Sequence, residues 1–478
     1  MRWDFLIKGI WVVVFVAITI LTACALPEYQ GSAWVYLLFT ALSTAVLFLG
    51  FGRKALFFDA FIGVLLWLGF WFKFSVHTAF SGGKFNISVG AFDGSPGALD
   101  KTLLVVSCAL SAILLVRLIR PRFFSYPETL PGIVHTGLFA FYQRYRRTLL
   151  VAFVIAVVAV CASNAYYGIY QRGLVSRLQL PFGLNGIYSW LLMFGMASFS
   201  CVILRFEFEI NRERYWIAIT LALLESCLSN ISLWSRGMIL NGSAIMFGAV
   251  SMFHRVEQRL RMGLLIYVVA AFVVFFSVSV LSVNYLRSMT YYHWSAQDGA
   301  EGGSAARRSE VANVVAEQTS TLFLDRWVGV EGVMSVVGSE HQGWSVFKEA
   351  LSERLDKKVN SYYDQHFVVS SYDNTQDDGR HFISLPGYLA FLFYPGSFVF
   401  LFFAVMMFSL VAVMFEYLVY RLGGRNLALC ALIAQVIAFR YTSFGYVPLQ
   451  SYLLFGSILL NVLILFSFDR LLRFIYKH

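Results

Sequence analysis

The sequence predicts an all-α fold: a polytopic integral membrane protein of about twelve transmembrane helices with one long extracytoplasmic loop. Three observations carry the prediction. Of 478 residues, 59% are hydrophobic and only 13% charged, where soluble domains carry about a quarter charged. Aromatic residues make up 17% of the chain, more than a soluble core can use. Apolar runs recur along the whole length, and a hydrocarbon core of about 30 Å needs about 20 residues at a rise of about 1.5 Å each.

The runs are read in order. The first, 6–26, follows the basic residues Arg2 and Lys8. Its Leu21-Thr22-Ala23-Cys24 has the form of a lipoprotein cleavage site, but a first run followed by many others is expected to stay as an anchor. Runs at 32–51 and 57–79 flank Arg53 and Lys54, and the run 102–119 ends on Arg120 and Arg122, completing an N-terminal unit, 1–122. Residues 123–147, with Pro127, Pro131 and the basic end Arg144, Arg146 and Arg147, read as a cytoplasmic segment lying on anionic lipid. A central unit, 148–283, holds runs at 148–169, 184–204, 215–233, 237–253 and 263–283. Its third and fourth runs are separated only by a turn at Trp234-Ser235-Arg236. The extracytoplasmic loop, 284–387, precedes a C-terminal unit, 388–478, with runs at 388–419, 426–440 and 450–468.

Basic connections stay cytoplasmic. With the N-terminus inside, most of the 37 Lys and Arg residues fall in inner connections, and both termini are predicted inside. This distribution also explains the net charge of +10 without nucleic acid, because the positive charge is spread among membrane anchors and the long loop has more acids than bases. All six cysteines, Cys24, Cys108, Cys161, Cys201, Cys227 and Cys430, lie in apolar runs. A disulfide framework is not expected, and no spacing suits a metal, so neither metal nor cofactor is predicted. The loop turns from a polar, Gly-rich tract at 295–308 to an apolar stretch from Val311 to Val337. It then shows an amphipathic pattern through Trp344, Phe347, Leu351 and Leu355.

Cations at the edge of a membrane are costly enough to be candidates for function. Arg172 and Arg177 follow the fifth run, Arg236 tips the short hairpin, Arg440 ends the eleventh run and Arg326 lies in the loop. Each could simply reach to lipid head groups. Together they suit a diphosphate, which guanidinium groups clamp through paired donors. A proton acceptor is sought among Glu331, Asp325 and His381.

Arg172-Gly173 with Gly183 beyond it, Ser235-Arg236-Gly237 at a hairpin tip, Asp325-Arg326-Trp327-x-Gly329-x-Glu331-Gly332 in a late loop, and Pro386-Gly387 before Tyr394-Pro395-Gly396 occur in that order. This series, across about 165–468, resembles the Wzy-type oligosaccharide repeat-unit (O-antigen) polymerases, membrane glycosyltransferases of GT-C-like architecture. The resemblance implies an enzyme of the bacterial inner membrane that works on its outer face without metal or nucleotide sugar. It joins repeat units carried on undecaprenyl diphosphate into a surface polysaccharide, with a chain-length regulator as a further partner. It gives Arg172, Arg236 and Arg326 the role of diphosphate or glycan ligands; Arg177 and Arg440 join them by topology alone. Two other activities stay open. One is an O-antigen ligase, for which His381 and Pro386-Gly387 are a loose match. The other is a lipid-linked-glycan flippase using Asp59, Lys73 and Glu225 inside the runs. A sensor or scaffold that uses the loop as a binding domain is a third reading.

Overall fold

The computed structural model describes residues 3–83, 85, 88–211, 215–256, 262–296, 327–354, 359–368 and 383–476. Among them there is no strand. In chain order the helices are α1 (Trp3–Glu28), α2 (Ala33–Leu49), α3 (Phe57–Leu66), α4 (Lys73–Phe80), α5 (Pro96–Ile119), α6 (Thr136–Tyr167), α7 (Leu184–Trp190), α8 (Met196–Ile210), α9 (Trp216–Ser232), α10 (Met238–His254) and α11 (Met262–Ala296). Then come α12 (Val330–Gly338), α13 (Trp344–Leu351), α14 (Tyr388–Leu392), α15 (Phe398–Leu422), α16 (Leu427–Thr442) and α17 (Ser451–Ile475). Wide π-turns over Trp67–Phe72 and Leu191–Gly195 join α3 to α4 and α7 to α8 as continuous rods.

Local chemistry sets several ends. Ser95 Oγ accepts from Ala98 N at 3.3 Å with Pro96 opening α5. Asn426 Oδ1 accepts from Ala428 N at 3.0 Å at the start of α16. Such caps satisfy amides that the helix itself cannot.

Among the described residues, eight helices are long and apolar enough to cross a membrane, which makes this a membrane-embedded helical protein. They include Phe57–Phe80, 72% buried within the bundle, and Gly9–Glu28, only 11% buried. The first is a central post; the second lies on the rim, where side chains such as Val13 and Phe15 are exposed and lipid must serve as solvent. Helices α2, α9, α10 and α16 are apolar but shorter. Small residues let two of these meet closely: a Cβ on Gly248 of α10 would lie 2.5 Å from Ala428 Cα of α16.

The bundle has two chemically different ends. At one, buried carboxylates are closed by donors. Asp59 pairs with Arg117 at 3.3 Å and with Arg120. Glu416 accepts from Phe57 N and Phe58 N, each at 2.9 Å, and from Tyr126 Oη at 2.6 Å. Glu207 binds Tyr142 Oη at 2.7 Å and both donors of Arg146. At the other end the chain connections meet: Arg172 N donates to Leu233 O at 3.0 Å and Gly387 N to Phe444 O at 3.0 Å.

Two boundaries differ from the sequence expectation. Residues 136–147, expected as part of an interfacial segment, form the first turns of α6, which runs on to Tyr167 past non-helical dihedral angles at Tyr145. The basic stretch continues into the rod because Glu207 neutralises Arg146. Helix α11 also runs on to Ala296, past residue 284 where the loop is expected to begin. Within the loop, α12 is buried from Val330 to Val337: a Cβ on Gly329 would stand 1.8 Å from Gly69 O, so the loop backbone lies directly on the π-turn of the central post.

Candidate functional site

The end of the bundle where the loop attaches carries Arg172, Arg177, Arg236 and Arg440, four of the arginines singled out by sequence. The hairpin between α9 and α10 is very tight, with Trp234 in the left-handed region at φ 55°. Ser235 N donates to Asn230 O at 2.9 Å, and Gly237 N to Ser235 Oγ at 3.1 Å. Arg287 of α11 braces the turn from outside, Nε and Nη2 donating to Trp234 O at 3.0 and 2.7 Å. Gly237 leaves little room for a side chain, since a Cβ there would lie 3.0 Å from Asn230 Oδ1. The same point is 4.0 Å from Arg172 Nη1, so Arg172 and the residue next to Arg236 are neighbours.

Arg172 is placed by its backbone bond to Leu233, and its guanidinium carbon sits 5.9 Å from the centre of the Phe439 ring. The connection behind it is fastened by Asn164, whose Nδ2 donates to Ser232 Oγ at 2.9 Å and whose Oδ1 accepts from Tyr170 N at 2.8 Å. Arg440 follows Phe439 in the last turn of α16. Its Nη2 donates to Ser451 Oγ at 2.9 Å, and its guanidinium lies 5.7 Å from the Phe444 ring. Arg172 therefore lies against Phe439, Gly237 beside Arg236 lies close to Arg172, and Arg440 follows Phe439 in the chain; all three arginines are half-buried. Arg177 is different: its N donates to Gly168 O at 3.0 Å, its stem packs on Gly168, and it is exposed. No contact among the described residues ties it to the other three. Arg326, Asp325 and His381 lie outside the described residues.

Phe439 also lines a cavity of about 160 Å³, walled by Leu65, Leu240, Trp327, Leu385 and Ser443. Its walls are mostly apolar, and the loop enters them through Trp327. Cation–ring contacts of this kind hold a guanidinium without neutralising it, which leaves its charge available to an anion.

Glu331, sought as a proton acceptor, is 4% exposed and forms a buried ion pair with Lys73 of the central post. Lys73 Nζ also donates to Trp327 O at 3.1 Å. Burial pushes the Glu331 carboxyl above the usual carboxylate range, against the pull of the lysine. Sequence reading treated Lys73 only as a charge inside a span. Its partners, Trp327 and Glu331, come from the loop, and no spacing rule connects residues at least 254 apart. Arg287 was likewise passed over as a loop residue; its place on a helix that outruns its apolar stretch was the available signal. The three charges considered for a flippase are all engaged within the bundle: Asp59 with two arginines, Lys73 with Glu331, and Glu225 accepting from Ser229 Oγ at 2.7 Å.

No family model matches this chain, and neither a curated protein nor a solved structure matches it.

Proposed function

We propose that this protein is a polysaccharide repeat-unit polymerase of the Wzy type, a metal-independent glycosyltransferase of the bacterial inner membrane. In this reading the four shorter apolar helices complete about twelve spans, both termini are cytoplasmic, and the loop faces the periplasm or cell exterior. The observation that carries the reading is Arg172 held against Phe439, with the hairpin of Arg236 beside it and Arg440 next along the chain, where Phe439 lines a cavity that the loop enters through Trp327.

The chemistry follows from that placement. The growing chain, linked to undecaprenyl diphosphate, is the donor, and a hydroxyl of a fresh lipid-linked unit is the acceptor. The hydroxyl oxygen bonds to the anomeric carbon as the bond from that carbon to the phosphate oxygen breaks. Undecaprenyl diphosphate leaves with its added negative charge, which the arginines stabilise; preorganised donors of this kind act strongly where water is excluded. The hydroxyl proton passes to a base. Glu331 is committed to Lys73, so the reading gives Glu331 a positioning task and leaves proton transfer to Asp325 or His381.

The test is the purified chain in vesicles supplied with a defined lipid-diphosphate oligosaccharide. A ladder of products is expected, and Arg172→Ala or Arg236→Ala should reduce it by about two to three orders of magnitude, the range for removing one transition-state donor. Transfer of the substrate across the vesicle wall without a ladder would make the protein a carrier. Attachment to a lipid acceptor in place of chain growth would make it a ligase.

A further inference from the structure

A second cavity, of about 200 Å³, opens beside α13 and the connection between α16 and α17. Its walls include Glu349, Glu353, Asn360, Tyr362, Gln365 and Tyr446. Carboxylates and carboxamides stand beside tyrosine rings there, and none of these residues belongs to a membrane-length helix.

The wall is built, not fortuitous. Glu353 is spent on architecture: its Oε1 accepts from Tyr362 N at 2.6 Å and its Oε2 from Val447 N at 3.1 Å, pinning the α16–α17 connection to the loop. The Tyr362 ring is held by the His366 ring at 4.3 Å, and its hydroxyl donates to Glu349 Oε2 at 3.1 Å. Gln365 Nε2 donates to Asn360 O at 2.6 Å, which leaves the Gln365 carbonyl as an acceptor.

We propose that this cavity is a saccharide subsite that takes a neutral or amino sugar of the glycan substrate. The argument is one of matched chemistry. A sugar ring has an apolar face, which suits a fixed tyrosine ring with an apolar body and polar tip, and a rim of hydroxyls, which suit carboxylate and carboxamide oxygens. The two carboxylates against the single Arg354 leave the wall net negative, so phosphate and uronic acids are disfavoured. Charge therefore separates this cavity from the arginine group, which favours an anion. The two are joined by one stretch of chain: Ser443 lines the arginine-side cavity and Tyr446 lines this one. A lipid-linked glycan lying along 443–446 would place its phosphates at one and a sugar at the other.

The inference rests on the polymerase reading for the identity of the glycan, but its test is separate. Purified full-length protein is exposed to an immobilised panel of free oligosaccharides with no lipid or phosphate, comprising neutral, amino and uronic-acid members. Binding confined to neutral or amino members is expected, weakened at least tenfold by Tyr362→Ala and by Glu349→Gln. Tyr362→Phe, which keeps the ring, should bind more tightly than Tyr362→Ala and so separates a lost platform from a lost fold. Absence of binding to any member, equal binding of uronic acids, or indifference to both Tyr362 and Glu349 would overturn the subsite. Failure of ladder formation with binding intact would instead count against the polymerase reading alone.

Discussion

The two ends of the helical bundle treat charge in opposite ways. At one end Asp59, Glu207 and Glu416 are each met by arginines, tyrosine hydroxyls or helix amides. At the other, Arg172 and Arg440 rest on aromatic rings and a serine hydroxyl, and no carboxylate pairs with either among the described residues. A buried charge with a matched partner holds helices together; a half-buried cation held by a ring keeps its attraction for an anion. The first end is built for stability; in the proposed reading the second is built for binding.

The sharpest way to break that contrast is to remove one acid from the closed end. Asp59→Ala strands both Arg117 and Arg120 in a buried site, and loss of one partner from such a network costs roughly 3–5 kcal/mol. Melting of the detergent-purified protein should fall steeply, or its yield collapse. Arg172→Ala should leave melting almost unchanged while abolishing polymer. Equal destabilisation by the two would erase the distinction.

The ion pair between Lys73 and Glu331 joins the two regimes, a closed pair placed at the binding end. Lys73→Ala should destabilise by a similar roughly 3–5 kcal/mol, because it leaves Glu331 buried and uncompensated. The double variant Lys73→Met with Glu331→Leu should recover much of the melting temperature, since apolar replacement of a buried pair is often neutral. Polymer formation should not recover with it, because the lysine also fixes Trp327 through its carbonyl. Full recovery of both would reduce the pair to a packing element.

This division was partly legible in the sequence. Apolar runs announce helices because a segment in hydrocarbon must satisfy its own backbone, and the expected runs coincide with helical segments among the described residues, except that 388–419 divides into α14 and α15 around Tyr394-Pro395-Gly396. Ends were harder to read, because they depend on partners far along the chain. Arg146 stays in α6 through Glu207, 61 residues away, and hydropathy sees only neighbours. The site followed the same pattern. Arg172, Arg236 and Arg440 could be named from their places in the sequence, but the rings that hold Arg172 and Arg440, Phe439 and Phe444, and the lysine that claims Glu331 depend on tertiary packing.

Two glycines sharpen the contrast further. Gly329→Ala would set a Cβ 1.8 Å from Gly69 O, backbone against backbone, and neither can yield without moving the loop off the central post. A loss of roughly 1–3 kcal/mol is expected, typical of overpacking, together with loss of activity. Gly237→Ala meets only side-chain ends, Asn230 Oδ1 at 3.0 Å and Ser235 Oγ at 3.1 Å. Melting should change less, while the shift of the hairpin should still lower polymer yield. Thermal scans beside ladder assays check both.

The smallest effect concerns acidity on the loop side. Burial raises the Glu353 carboxyl above its ordinary 4.5; the Tyr362 and Val447 amides oppose the shift and the charge of Asp364 adds to it. The folded state therefore holds this proton more tightly than the unfolded chain does. Its contribution to stability is present below the unfolded value and is lost as pH rises from 4.5 through the raised folded value. Glu353→Gln removes the titration, so the slope of melting temperature against pH should become less negative across that window. The carboxamide also replaces an acceptor oxygen with a donor group facing one of the two amides, so the variant should melt slightly lower throughout. A slope identical to that of the parent protein would assign the pH response to other acids of the loop.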